Sequence, residues 1–269
     1  MFIGFMTDLA STAVSFGEWM KLGLPLVVIL TGLAWGVLTL VFPVDRQVLS
    51  GIDIASMKSQ SEASIWHDHL ALRALLLPVL ALTLWIGFPQ FGLAWSALLV
   101  AVVVFMPGIG VLRWEDASDF VPWDALILVA AGMAVGIAAY NTGAASYVGY
   151  RIFGSWVTAI PSFARDTLAS WGTAILHVPF SSNSLMASIS APLLIPIGQA
   201  MDFSMWSFLA PSAMTSSLAF LFVTEGPTSI LAFSAGRFSF LDYLRAGALM
   251  TLLTGPIVSV CTMLFASPG

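Results

Sequence analysis

Five stretches of this chain are too long and too apolar for the surface of a water-soluble domain. Residues 22–42 are 21 consecutive positions without a charge. Residues 70–88, 91–112 and 246–266 are similar runs, and another begins at Trp123 and fades into the Gly- and Tyr-containing stretch near Tyr150. A helix needs about 20 apolar residues to cross the hydrocarbon of a bilayer, so the runs predict spanning helices and a multi-pass protein. Arg73, close to the start of its run, sits where a long side chain snorkels to the interface. The two-residue link Pro89-Gln90 predicts that the runs on either side of it form an antiparallel pair. Composition agrees: 9% of the 269 residues are charged, against about a quarter in soluble domains. The net charge of −5 is spread over connections and excludes a nucleic-acid partner. The single cysteine, Cys261, rules out a disulfide framework and a cysteine metal site. With no basic region ahead of an apolar core at the N-terminus, no cleaved signal peptide is expected.

Two further segments are apolar but interrupted. Residues 167–201 run for 35 positions with no formal charge, broken by His177-Val178-Pro179-Phe180-Ser181-Ser182-Asn183-Ser184. As continuous helix they would measure roughly 52 Å at about 1.5 Å per residue, against about 30 Å of hydrocarbon. That is too long for one span and too short for two, so a re-entrant hairpin of two half-helices, with its tip at residues 180–184, is predicted. A full span followed by an interfacial helix is the alternative. Residues 203–236 repeat the pattern around Thr224-Glu225-Gly226-Pro227-Thr228-Ser229, where a charge, a glycine and a proline unwind a span. Adjacent discontinuous helices with polar breaks near mid-depth are the sequence signature of a transporter binding site.

The basic residues set the orientation. With a hairpin returning to its side of entry, Arg46, Lys58, Arg73, Arg113, Arg237 and Arg245 share one face, and Lys21, Arg151 and Arg165 the other. The first face is therefore cytoplasmic. Four segments follow: residues 1–42 as the tail of a first repeat with its last span, 43–69 as a cytoplasmic connection, 70–122 as scaffold-type helices, and 123–269 as the spans, hairpin and broken helix of a second repeat. Residues 114–123, acidic between aromatics, read as an interfacial amphipathic helix.

The repeat is visible directly. Val14-Ser-Phe-Gly-Glu-Trp-Met-Lys-Leu-Gly23 matches Phe238-Ser-Phe-Leu-Asp-Tyr-Leu-Arg-Ala-Gly247 in residue type, and each copy opens an apolar run. Counting spans puts the first copy on the outer face and the second on the inner one, so the repeats are inverted; chance similarity of two helix starts is the alternative. On this count the chain holds the end of one repeat and the whole of the next.

The motifs resemble the divalent anion:sodium symporter (DASS) family, which includes dicarboxylate transporters, over that family's C-terminal half. They are Gly17-Glu-Trp-Met-Lys-Leu-Gly-Leu-Pro25, Trp85-Ile86, Pro107-Gly108 before Trp114-Glu-Asp-Ala117, and Trp123 with the glycines of 132–143. Further on come Ser182-Asn183-Ser184 followed by Pro192 and Pro196, and Ser217-Leu-Ala-Phe220 leading into Gly226-Pro227. The resemblance implies an all-α integral membrane fold, an inverted-repeat ion transporter half with a re-entrant hairpin and a broken helix. In the family, Ser-Asn-Thr hairpin tips bind carboxylate and sodium, and Ser182-Asn183-Ser184 is similar to the second tip, with Ser for Thr. The family's Thr-Pro-Pro-Asn break is replaced here by Gly226-Pro227-Thr228-Ser229, preceded by Glu225.

Substrate ligands are accordingly expected at Ser182, Asn183, Ser184, Gly226, Pro227 and Thr228. Two half-helix N-termini converging at mid-depth hold an anion without a full positive charge. Sodium, the expected co-substrate, is assigned to Ser181, Asn183, Thr224 and Glu225, whose oxygens suit a hard cation. An acid at mid-depth is costly unless it is paired, protonated or beside a cation, so Glu225 holds sodium, carries a proton, or pairs structurally. His177 is expected to pack or hydrogen-bond in the hairpin, and His67 and His69 to be solvated. No nucleophile–base pair or acid–histidine cluster shares a depth, so no enzyme is expected, and no organic cofactor. The function expected is alternating-access transport of small anions such as di- or tricarboxylates across the plasma (inner) membrane, as a homodimer or paired with an N-terminal half. A non-transporting or truncated partner subunit is the alternative.

Overall fold

The computed structural model describes residues 2–43, 69–119, 121, 123–154, 156–180 and 182–266. Among these, all regular structure is helical. The chain divides into two units, one of Met1–Phe42 with Trp123–Gly269, the other Pro43–Pro122. Most of the 43–69 connection, with His67, lies outside the described residues.

The Pro43–Pro122 unit holds α3 (His69–Gly87), a 3₁₀ turn at Pro89–Phe91, α4 (Gly92–Phe105) and α5 (Trp114–Ser118). The α3 and α4 helices pack together across the short link, and the Trp85 indole N–H donates to the Leu93 carbonyl at 3.3 Å. The run expected to be helical over 91–112 stops being helix at Phe105. Beyond it the chain turns back at Gly108, whose φ is +83°. The N–H groups of Val111 and Leu112 then take the Val104 carbonyl at 3.0 and 3.2 Å. Gly110 is needed there, because a Cβ would overlap the Val104 carbonyl oxygen. Arg73 donates to the Gly108 carbonyl at 3.1 Å.

The other unit holds α1 (Phe2–Ala10), α2 (Phe16–Val41), α6 (Trp123–Asn141), α7 (Ala144–Phe153), α8 (Trp156–Ala159), α9 (Ser162–His177), α10 (Asn183–Ala200), α11 (Met205–Thr215), α12 (Pro227–Ser234) and α13 (Phe240–Phe265). The repeated motif is a repeated helix start. Ser15 with Glu18, and Ser239 with Asp242, each form a reciprocal capping box. The helices they open, α2 and α13, are both 26 residues long. The last turns of α2 (Leu33, Val37, Val41) share an apolar cluster with the first turns of α13 (Ala246, Leu249, Met250, Leu253). The pair therefore runs antiparallel, as two copies related by inversion must.

Helix α10 is the centre of this unit, touching α1, α6, α7 and α11. Its near approach to α6 depends on Gly132 and Gly136, one turn apart: a Cβ on either would fall 2.9 Å or less from Leu185, Ser188 or Pro192. Small residues in this spacing are the usual device for bringing helices together where both are bathed in lipid. Helix α9 packs instead on α13 and α11. Pro256 has no N–H for the Leu252 carbonyl one turn earlier. The Trp171 indole supplies the missing donor, at 3.2 Å from the Thr251 carbonyl and 3.3 Å from that of Leu252. Gly255 leaves room for the ring. One turn on, the buried hydroxyls of Thr167 and Ser259 bond at 2.8 Å.

Three helices, Phe16–Val41, Leu70–Gly87 and Phe240–Phe265, are long and apolar enough to cross a membrane among the described residues. Their outer faces carry bare Leu, Val and Trp, with Leu40 at 79% and Trp35 at 73% exposed. Lipid is the solvent in which such a surface is stable.

Candidate functional site

Between α9 and α10 the helix breaks where the 35-residue run predicts. Val178 and Pro179 form a turn, with the Phe180 N–H on the His177 carbonyl at 2.8 Å. Ser182, in extended backbone, caps α10 by accepting from the Leu185 N–H at 3.3 Å. The N–H groups of Asn183 and Ser184 are left for a ligand at the positive end of an 18-residue helix. Ser181 lies outside the described residues.

Asn183 and Ser184 are exposed and line a cavity of about 170 Å³, together with Phe2, Trp19, Ala187, Ala213, Ser216 and Ser217. No acid lines it. What the cavity offers is hydroxyls, amide hydrogens and a helix N-terminus between aromatic walls, which is the chemistry of an oxyanion site. Ser182 serves it indirectly, through the cap.

The second break is longer than the sequence suggests. The chain leaves α11 after Thr215 through tight turns, with Ser217 N–H on the Met214 carbonyl and Leu218 N–H on that of Thr215. It stays irregular to a 3₁₀ turn at Val223–Glu225 and enters α12 at Pro227 through extended Gly226. Proline at the first helical position sacrifices no bond. Glu225 ties the far end of the irregular stretch. The buried Glu225 carboxylate accepts the Leu221 N–H at 3.0 Å on Oε2. Among the described residues its Oε1 has no donor. Ser229 is tied to α13 by the Tyr243 hydroxyl at 2.9 Å.

Of the expected anion ligands, Asn183 and Ser184 share the cavity, whereas Gly226 and Thr228 are not among the described residues that line it. Thr224 and Thr228 are exposed and Glu225 is 1% exposed. His177, at the end of α9, is as buried as Glu225. Its Nε2 lies 3.0 Å from Asn183 Oδ1. The cavity walls Phe2 and Trp19 escape sequence reasoning, because they come from 164 or more positions upstream of the tip. Trp19 reads as an interface anchor, yet it packs on Trp206 with ring centroids 5.9 Å apart. The Ser216-Ser217 pair, polar at the end of an apolar helix, is the signal that could have found the third wall. Among the described residues no group of three His, Cys, Asp or Glu is placed to hold a metal.

Among the described residues the protein is all-helical, of a membrane-spanning class, with polar helix breaks beside a donor-lined cavity. The chain belongs to the sodium:sulfate symporter family, whose model, described as "Sodium:sulfate symporter transmembrane region", matches residues 1–268. It is similar to solute carrier family 13 member 1 of Rattus norvegicus, 27% identical over 158 residues, which are 58% of this chain and 26% of that protein. It is also similar to the sodium-dependent dicarboxylate transporter SdcS of Staphylococcus saprophyticus, 23% identical over 95% of this chain and 51% of that one. The Staphylococcus aureus SdcS is 23% identical over 91% and 50%. The resemblance to the divalent anion:sodium symporters is thus borne out, and the family is one of transporters rather than enzymes. The chain spans about half the length of the staphylococcal relatives it matches.

Proposed function

We propose that this chain forms the second-repeat half of a sodium-coupled transporter for small divalent oxyanions, a dicarboxylate or sulfate, working by alternating access in the plasma membrane. One observation carries the reading: the α10 N-terminus, with Asn183 and Ser184, opens into a cavity that has donors and, among the described residues, no acid. Two relatives named as sodium-dependent dicarboxylate transporters support the substrate class and the coupling ion. In this reading α9 and α10 are the legs of a re-entrant hairpin, and α11 and α12 are the halves of the broken helix. Ser184, the Asn183 amide and the free N–H groups hold the anion, joined by the N-terminus of α12 at Gly226, Pro227 and Thr228. Glu225, Thr224 and the carbonyls of the break hold sodium. A second inverted repeat completes the pocket, supplied by another segment or by an antiparallel copy.

The test is uptake of labelled succinate and of labelled sulfate into vesicles carrying the complete assembly, with and without a sodium gradient. Uptake of one or both, abolished when potassium replaces sodium, is expected. If an assembly that folds and inserts takes up neither, the chain is instead a non-transporting subunit.

A further inference from the structure

We propose that the buried hydroxyls of Ser170, Thr215, Thr251 and Thr254 form a further cation site, which takes a bare sodium ion between α9, the end of α11 and α13. The inference takes from the proposed function only that sodium is the coupling ion, and it does not depend on where the anion binds.

The four residues line one small cavity of about 10 Å³, with Trp171 and Gly255 in its wall. Among the described residues none of the four hydroxyls has a hydrogen-bond partner, and no acid lines the space. Ser170, Thr215 and Thr254 are each 3% exposed or less. A buried Ser or Thr inside a helix often returns its hydrogen to a carbonyl of the preceding turn. Neighbours on the same helices do so: Thr167 to Phe163 and Thr173 to Ala169, both at 2.8 Å, and Ser259 to Gly255 at 3.0 Å. The four lining hydroxyls forgo that bond, and a buried hydroxyl without a partner is costly. Each brings lone pairs to the same space, so together they are the ligand set for one oxygen-coordinated guest.

Size and charge narrow the guest. A water needs about 10–15 Å³ of such space, so the cavity is at the lower bound for one water, and a dehydrated sodium ion, which is smaller, fits it. Hydroxyl oxygens are hard, neutral ligands, and neutral oxygens replace the hydration shell of an ion in selective filters. Thr215 is the last residue of α11, so the negative end of an 11-residue helix lies at the site. Transporters with discontinuous helices set such ends against their coupling ions. The Trp171 indole N–H is already committed to the Thr251 and Leu252 carbonyls. Glu225 is not among the described residues that line this cavity, so the site is distinct from the one expected at the second break. A sodium ion held here ties α9 to α13 and to the end of α11.

The experiment is thermal unfolding of the purified complete assembly, without substrate, in equal concentrations of sodium chloride and potassium chloride. A Glu225→Gln background removes the charge of the other expected sodium site. In that background sodium should raise Tm by about 2–4 °C over potassium, which is too large for the cavity. Thr254→Val keeps the side-chain shape, removes one hydroxyl and should abolish most of that rise. In potassium the same variant should be at least as stable as its parent, because an apolar group replaces an unmet hydroxyl. Thr262→Val is the control: its hydroxyl also lacks a partner but is not in the lining of this cavity, so its sodium response should persist. Ser170→Ala repeats the test from α9 if Thr254→Val fails to fold. The absence of a sodium response in the Glu225→Gln background overturns the proposal. So does a loss in Thr254→Val that is equal in both salts, which is the mark of a bound water. An assembly that responds to sodium as expected, yet neither binds nor moves succinate or sulfate, overturns the functional reading and leaves the cation site standing.

Discussion

Glu225 and Asn183 carry opposite demands, and two isosteric substitutions separate them. Glu225→Gln keeps an oxygen for the Leu221 N–H and removes only the charge. If the carboxylate balances a cation, this variant should raise the sodium half-saturation several-fold with the succinate KM little changed, since a buried charge is tolerated only beside a counter-charge. If it carries a proton, the pH dependence of uptake should disappear while exchange survives. Titrations unchanged in both sodium and pH would leave Glu225 as the staple of the 216–226 loop, and Glu225→Ala should then lower thermal stability. Asn183→Asp removes the two amide hydrogens and puts a negative charge at the proposed anion site. It should raise the anion KM by about tenfold or more at neutral pH, read from initial rates of succinate uptake. At this scale the sequence is a partial guide. The polarity of Ser182-Asn183-Ser184 and of Glu225 marks both breaks. The division of labour within the tip, where Ser182 caps and Ser184 faces the cavity, depends on backbone direction that composition does not encode.

Local signals decide which helices could be foreseen. Both capping boxes are legible, because Ser followed three residues later by Glu or Asp closes on itself whatever surrounds it. The end of α4 at Phe105 and the early start of the second break at Ser216 are not legible. At Phe105 the Val104 carbonyl is taken by the returning Val111 and Leu112 N–H groups, and after Thr215 the Ser217 and Leu218 N–H groups turn back on Met214 and Thr215, partners the apolar pattern does not show. The joint between α9 and α13 is similar, since neither Pro256 nor Trp171 announces that it completes the other. Two substitutions test it. Gly255→Ala places a Cβ against the Trp171 ring and should destabilise the unit by about 1–3 kcal/mol, the usual cost of overpacking. Trp171→Phe keeps most of the ring but leaves the Thr251 and Leu252 carbonyls without the indole donor, and should cost about as much. Thermal unfolding of the detergent-solubilised protein reads both. If Gly255→Ala matches wild type, the ring has room to move and the joint is looser than it looks.

For the whole molecule, the antiparallel pair α2 and α13 is the strongest sign of an architecture larger than this chain's own fold. Two helices of 26 residues, opened by the same capping box and packed end against start, are what inversion of one unit about an axis in the membrane plane produces. On the proposed function, an inverted repeat shares its substrate between two hairpin tips. The donors seen here, the α10 N-terminus with Asn183 and Ser184, belong to one tip. Each relative named as a dicarboxylate transporter is about twice as long as the segment matched. Purified chain reconstituted by itself as a monomer should therefore show no sodium-driven succinate uptake. Co-reconstitution with a chain carrying the first-repeat tip should restore it. Uptake by the chain alone would be reconciled with inversion only by an antiparallel homodimer. A single cysteine placed at Ser184 in a Cys261→Ser background would then crosslink tip to tip between copies. Uptake from the chain alone without that crosslink would refute the shared-site architecture, because one tip would suffice.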